Sequence, residues 1–280
     1  MTARTFPTLA RRALPLVVLL LAAGGCSSGD STTKLTRELL TLPKEEAYAR
    51  GDALVAKRKY ETGRQYLRFV AENYANDPIG KQAALRLADS FFEEGTPLGY
   101  LEAQARYKDF RSRYPSHPRA DYALYRLAQT SDRQAEKPDR DQTNTRLAAN
   151  SYRDLLSNYP DSPYSVEARL RYKAMLDLLA RHEFLVAQFY YRRGAWRAAK
   201  GRFDTLMGAF PDFDGREQVL YLAGDVERKL GHEEDAFALW DSLRKEYPSS
   251  AYLRKVPRRP PPVDSGGTPA AGLSQSRRLR

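Results

Sequence analysis

Few side chains in this sequence are of the kinds that carry out chemistry, and they are widely separated. Cys26 is the only cysteine among 280 residues, so it cannot form a disulfide within the chain. The three histidines, His117, His182 and His232, are dispersed and lack the spacing of metal-ligand or catalytic motifs. HExxH and glycine-rich phosphate motifs are also missing from the sequence. The residues therefore favour a protein that is not an enzyme, and they predict no cofactor and no metal site.

The first residues of the chain are typical of a secretory signal peptide. Arg4, Arg11 and Arg12 precede a run of mostly aliphatic residues over 13–23, which is too short to cross a bilayer as a helix. Small residues follow this run, as they do before a cleavage site. We therefore predict a signal peptide over residues 1–25.

The lone cysteine lies directly after this leader, within Gly24-Gly25-Cys26-Ser27. This arrangement is similar to a bacterial lipobox, in which the cysteine becomes the acylated first residue of the mature chain, although Ala23 stands where a leucine is usual. We therefore expect Cys26 to carry acyl chains that hold the protein on a membrane, with residues 26–33 as a linker. A serine after the cysteine indicates the outer membrane. The alternative is a secreted protein with an incidental thiol.

The excess of basic residues lies at the two ends of the chain. The formal net charge is +11, of which three charges belong to the leader and a net six to residues 254–280, so the body carries about two. A body so nearly neutral gives little reason to expect a nucleic-acid partner. The last 27 residues are also rich in proline, glycine and arginine, which predicts a disordered segment that is dispensable for folding.

A repeated spacing organises the body of the chain. An alanine, an aromatic residue four positions later, an apolar residue three further on and a proline five beyond that recur four times. The four sets are Ala103/Tyr107/Phe110/Pro115, Ala148/Tyr152/Leu155/Pro160, Ala199/Phe203/Leu206/Pro211 and Ala236/Trp240/Leu243/Pro248. The spacing matches the second half of the tetratricopeptide unit, where a small residue lets two helices approach and a proline ends the second helix.

An earlier, degenerate unit keeps the stripe with Gly63, Leu67 and Val70 but has Ala75 in place of the proline. We therefore predict an all-α superhelical array of about five tetratricopeptide-type hairpins over residues 34–253. The prolines are more widely spaced than the 34-residue norm. We expect the extra length in a Gly/Pro segment at 95–99, a polar segment at 131–145 and long helical stretches between 164 and 193.

Three stretches in this body resemble the BamD family, the tetratricopeptide lipoproteins of the β-barrel assembly machinery. They are Asn158-Tyr159-Pro160-Asp161-Ser162-Pro163-Tyr164, Leu179-Ala180-Arg181-His182-Glu183-Phe184-Leu185-Val186-Ala187 and Tyr190-Tyr191-Arg192-Arg193-Gly194-Ala195-Trp196. The resemblance implies a lipid anchor on the periplasmic face of the outer membrane. As partners it implies the POTRA domains of BamA, other assembly lipoproteins and unfolded outer-membrane β-barrel substrates, the last in a groove of the N-terminal repeats. Ala75 is a departure that we expect to loosen the first turn beside that groove.

The resemblance also implies that the fourth hairpin carries the contact with BamA. Arg202 falls six residues after Trp196, where the matching family helix has an arginine used against an acidic POTRA residue. Helical spacing places Arg202 at the edge of the packed face, since Ala199 and Phe203 point inward. Arg197 on the same helix is the second candidate, and an ordinary solvated arginine is the alternative for both. Two other functions remain open: coordination of another envelope process, such as peptidoglycan synthesis or pilus assembly, and a lipid-anchored enzyme.

Overall fold

The computed structural model describes residues 28–259, with side chains from residue 34 onward, and this region consists of helices and short connections. In chain order the helices are α1 (Ser28–Thr41), α2 (Lys44–Ala56), α3 (Tyr60–Asn73), α4 (Pro78–Glu94), α5 (Pro97–Arg113), α6 (Ala120–Asp132), α7 (Thr143–Asn158), α8 (Ser165–Arg192), α9 (Trp196–Ala209), α10 (Arg216–Lys229) and α11 (Glu233–Glu246). A short 3₁₀ helix follows at Ala251–Lys255.

From α2 onward the helices pair as five hairpins, which we number 1 to 5: α2/α3, α4/α5, α6/α7, α8/α9 and α10/α11. The second helix of each hairpin also packs against the first helix of the next, so every hairpin is covered mainly by its neighbours in sequence. The predicted all-α array of about five tetratricopeptide-type hairpins is confirmed.

The repeated spacing forms the buried face of each second helix. The small, aromatic and apolar positions of hairpins 2 to 5 are all buried: Ala103, Tyr107, Phe110, Ala148, Tyr152, Leu155, Ala199, Phe203, Leu206, Ala236, Trp240 and Leu243. In hairpin 1 the same positions are the buried Gly63, Leu67 and Val70. Burial of this stripe supplies most of the stability of each hairpin, because the short helices have little stability alone.

The small residues are required where two helices of one hairpin come closest. Gly224 of α10 lies directly over the indole of Trp240, and a Cβ at position 224 would stand 2.3 Å from the indole Nε1. The indole N–H donates to the Tyr221 carbonyl across the same interface, at 3.2 Å. A glycine is therefore the residue that lets a tryptophan fill the centre of hairpin 5.

The extra length of the repeats has three sources, two of them as predicted. Residues 133–142 form the polar connection between α6 and α7, and α8 is a single helix of 28 residues. The segment at 95–99 is not an insert: Gly95 and Thr96 form a tight turn, and α4 and α5 take up the length with 17 residues each. Thr96 caps α5 by accepting from the Gly99 amide at 2.9 Å.

The turn that follows hairpin 1 is closed in the same way as the later turns. The Tyr74 amide donates to the Val70 carbonyl at 3.1 Å, and the Asp77 amide donates to the Tyr74 carbonyl at 2.9 Å. The aromatic residues at the ends of α5, α7, α9 and α11 make the same two bonds. The Tyr114 hydroxyl adds a bond to the Ala75 carbonyl at 2.9 Å. The expectation that Ala75 loosens this turn is therefore wrong, because these bonds use the backbone and need no proline.

Where the repeat aromatic is a tyrosine, its hydroxyl binds an aspartate of the first helix of the same hairpin, and a residue of the next hairpin binds that aspartate too. The Tyr152 hydroxyl donates to Asp132 of α6 at 2.8 Å, and Arg171 of α8 pairs with the same carboxylate at 2.5 and 2.7 Å. One hairpin earlier, Asp89 accepts from Tyr107 of α5 and from Tyr122 of α6. Burial raises the pKa of the Tyr152 hydroxyl, so it stays protonated and donates. Each carboxylate is held from both sides, which fixes the register of hairpins 2, 3 and 4.

Residues 251–259 pack on hairpin 5, and we call them the C-terminal cap. Tyr252 stacks on Tyr221 with ring centroids 5.2 Å apart, and Val256 covers the cluster formed by Phe237 and its neighbours. Arg259 lies over the Phe237 ring at 4.9 Å. The predicted boundary at residue 253 thus falls inside a packed segment, and the rest of the predicted tail lies outside the described residues.

Candidate functional site

The corner between α8 and α9 contains both candidate arginines, and its turn is fixed by the backbone. The Gly194 amide donates to the Tyr191 carbonyl at 3.0 Å and the Ala195 amide to the Tyr190 carbonyl at 3.1 Å, which is a Schellman motif. Gly194 has a φ of 70°, a conformation that favours glycine. The rings of Trp196 and Tyr191 then meet edge to face at 5.6 Å. This turn sets the direction in which α9 leaves α8.

Arg202 lies on the side of α9 that faces α8, as its spacing from the buried stripe predicts. Its guanidinium Nη1 donates to Glu183 Oε2 at 3.0 Å, so a carboxylate of this chain already binds it. Nearly half of the arginine side chain remains exposed, whereas the glutamate is mostly covered. The guanidinium therefore has donors left for a second acceptor outside the chain.

Arg197 is exposed on a different side of α9. Five residues separate it from Arg202, a rotation of about 140° around the helix, so the structure does not bring the two arginines together. Within residues 34–259, no carboxylate lies within ion-pair distance of the Arg197 guanidinium. Of the two candidates, Arg197 has no acidic partner within residues 34–259, whereas Arg202 is paired with Glu183 and keeps donors for a second acceptor.

The outer side of the C-terminal half of α8 combines apolar and basic residues. Leu185 and Phe189 are both exposed, one helical turn apart, and the Arg193 guanidinium lies 4.7 Å from the Phe189 ring centroid. Sequence reasoning placed the contact on arginines alone and missed these two side chains. Their spacing of four residues was visible in the sequence, but the exposure of this side was not.

Beneath this corner, a buried carboxylate joins hairpins 4 and 5. Glu227 of α10 accepts from Lys200 of α9 and forms a contact of 2.7 Å with the His232 ring. Burial alone would raise the pKa of Glu227, but the hydrogen bonds from Lys200 and His232 lower it below its usual value. Glu227, His232 and Asp235 are the one group in residues 34–259 whose ligand atoms converge as a metal would need. The ammonium of Lys200 on that carboxylate opposes a cation there, and we assign none.

The predicted lipidation residue, Cys26, lies outside the described residues. Within residues 28–259, no helix is both long enough and apolar enough to cross a membrane.

Comparison with known proteins identifies a family for this architecture. The profile of the YfiO family, described as outer membrane lipoprotein, matches residues 41–237. A relative from Haemophilus influenzae, named outer membrane protein assembly factor BamD, is 25% identical over 230 residues, covering 79% of this chain and 84% of that one. The protein of the same name from Neisseria meningitidis serogroup A is 25% identical over 253 residues, covering 87% and 94%. That from Rickettsia prowazekii is 24% identical over 237 residues, covering 85% and 91%.

Solved helical-repeat structures are more distant. A tetratricopeptide repeat protein from Parabacteroides merdae has 17% identity and a TM-score of 0.35, and covers 75% of this chain and 82% of its own. A MamA structure has 16% identity and a TM-score of 0.34, with coverage of 77% and 98%. Scores this low carry no argument about function. The family profile, in contrast, spans well over half of the chain, and the chain therefore belongs to the YfiO outer membrane lipoprotein family, the family of the BamD proteins.

Proposed function

We propose that this chain is a scaffold of the outer-membrane β-barrel assembly complex, anchored by acylated Cys26 to the periplasmic face of the outer membrane. In this role it binds the POTRA domains of BamA and assists the folding and insertion of barrel proteins. Family membership supports the proposal, because the relatives are named outer membrane protein assembly factors. A non-enzymatic role agrees with those names.

The observation that carries the BamA contact is that the α8/α9 corner exposes apolar side chains on the outer side of α8 and basic side chains on α9. Exposed Leu185 and Phe189 can bury apolar area against a partner. Arg197 and the free N–H groups of Arg202 can each donate hydrogen bonds to a carboxylate of that partner. A partner that contacts this corner offers apolar side chains to Leu185 and Phe189 and, at its rim, carboxylates to the arginines. Charge pairs at such a rim change the association rate and its salt dependence more than the affinity.

The test measures binding of the purified chain to isolated POTRA domains at two salt concentrations. Arg202→Gln and Glu183→Gln both break the ion pair within the chain, but only the first removes the cation. If Arg202 contacts BamA, Arg202→Gln slows association, makes it less dependent on salt and weakens binding by up to roughly tenfold. Glu183→Gln then binds at least as well as the parent.

Phe189→Ser tests the apolar part of the same surface, with Leu101→Ser on α5 as the control for loss of an exposed apolar side chain. We expect Phe189→Ser to weaken binding and Leu101→Ser to have no effect. Equal losses for Arg202→Gln and Glu183→Gln would show that the pair acts only by shaping the corner. Unchanged binding in all four variants would place the contact elsewhere.

A further inference from the structure

One stripe of residues runs the length of α8 at alternating steps of four and three. Its C-terminal half, Ala180, Phe184, Ala187 and Tyr191, packs into the core that hairpin 4 forms around Phe203. The same steps continued toward the N-terminus give Val166, Leu170, Lys173 and Asp177. Since this spacing keeps residues on one side of a helix, all eight face the direction of α9.

The N-terminal half of this stripe has no helix over it. α8 has 28 residues and α9 only 14, and α9 ends at Ala209, so the chain turns away beside Ala180. Val166 remains 77% exposed and Leu170 63% exposed, which is unusual for aliphatic residues on a stripe that is buried further along. The uncovered length from Val166 to Asp177 is about 17 Å at the rise of an α-helix.

The uncovered half forms a groove with two concave ends. One cleft of about 380 Å³ lies between Leu170 and the turn at Pro160, and a second of about 400 Å³ lies between Asp177 and the end of α9 at residues 209–213. The two clefts share the same side of α8. Together they leave room in line with α9 for one further helix, lying antiparallel to α8.

The charges along the groove are unpaired and ordered. Asp177 and Asp212 line the cleft next to α9, with Lys173 one turn away in the same cleft, and Arg169 lies in the cleft at the other end. None of these four has an ion-pair partner within residues 34–259, although charged side chains elsewhere in this region are commonly paired. A helix antiparallel to α8 would place its positive N-terminal end at the two aspartates and its negative C-terminal end toward Arg169.

We propose that this groove, which comprises residues 160–177 and 209–213, is a docking site for a short amphipathic helix of another protein. The occupant lies antiparallel to α8 and has large aliphatic residues at four-three spacing against Val166 and Leu170. Acidic side chains along it face Lys173, one turn from its N-terminal end, and Arg169, nearer its C-terminal end. The site is separate from the α8/α9 corner, so the result of testing it does not depend on the BamA contact proposed above.

The first experiment uses the full chain and a labelled synthetic helix of 14 residues as the probe. The probe has leucines at four-three spacing and glutamates positioned to face Lys173 and Arg169, and its binding is followed by fluorescence anisotropy. We expect Leu170→Asp to weaken binding at least tenfold and Leu101→Asp, at a leucine that is 59% exposed on α5, to leave it within twofold. Circular dichroism checks that both variants stay folded.

A charge exchange then tests the orientation of the helix. Lys173→Glu should weaken binding of the glutamate probe, and a probe with lysine at the facing position should bind Lys173→Glu more tightly than the parent chain. Equal loss in the Leu101→Asp control, or lack of any rescue by the lysine probe, would overturn the proposal. Self-association of the chain that Leu170→Asp abolishes would also overturn it, because the occupant would then be a second copy.

Discussion

Replacing Phe203 by alanine should destabilise the array far more than the same change at Phe189. Phe203 is completely buried at the centre of hairpin 4, whereas Phe189 is 45% exposed on the outer side of α8. Truncating a fully buried phenylalanine removes its transfer free energy and leaves a cavity, which together cost about 3–5 kcal/mol. A half-exposed ring with one cation over it loses a fraction of that, roughly 1 kcal/mol or less.

The measurement is thermal unfolding followed by circular dichroism, with urea unfolding as a second probe. For a folded region of about this size, 1 kcal/mol corresponds to roughly 2–4 °C in Tm, so Phe203→Ala should lower Tm by roughly 6–20 °C. Both tryptophans of the chain, Trp196 and Trp240, lie in hairpins 4 and 5 and report on this region separately. If the two alanine variants melt within a few degrees of each other, the burial of the repeat aromatics does not stabilise the hairpins as argued.

Three further predictions concern the anchor, the cap and one buried carboxylate. Cys26→Ala should release the protein from the membrane pellet into the soluble periplasmic fraction, and retention in the pellet after cleavage of the signal would show a different anchor. Ending the chain after Arg259 should leave Tm unchanged. Ending it after Ser250 removes the cap, exposes Phe237 and should lower the free energy of unfolding by about 1–3 kcal/mol. Equal Tm values for the two truncated chains would show that the cap adds no stability. The pKa of Glu227 is lower in the folded chain than in the unfolded chain, so its carboxylate stabilises the fold above the unfolded pKa near 4.5, and this stabilisation is lost as pH falls through the lower folded value. Glu227→Gln should therefore flatten the acid side of a curve of Tm against pH. An unchanged slope would contradict this.

The sequence was most informative where structure depends on local spacing. The stripe of Ala199, Phe203 and Leu206 follows from the period of one helix, so both its existence and its burial were predictable. The contact of Tyr152 with Asp132 and Arg171 was not, because it joins three helices whose relative register the sequence does not encode locally.

The length of a helix was also easier to predict than which of its sides are covered by other helices. Long helical stretches after residue 164 were expected, but the exposure of Val166 depends on where α9 ends, 43 residues later. Arg202 was correctly placed at the edge of the packed face. Its partner Glu183 was part of a recognised sequence block, yet nothing in that block indicates which side chain it meets.

The C-terminal cap begins as another hairpin would. Tyr252 stacks on Tyr221 as Tyr164 at the start of α8 stacks on Tyr125, and a serine two residues before each tyrosine accepts from its amide. Pro257 then follows within two turns, and a proline there removes the donor that a continuing helix needs.

Within residues 28–259, Pro257 therefore interrupts a sixth unit soon after it begins. Hairpin 5 presents an ordinary stacking surface, and the cap is an incomplete sixth unit in the correct register. The array should therefore be extensible by recombination. A complete hairpin grafted in place of residues 253–259 would pack on the same surface of hairpin 5 that the cap now covers. Lineages could gain or lose whole repeats at this point without redesigning the hairpins that precede it.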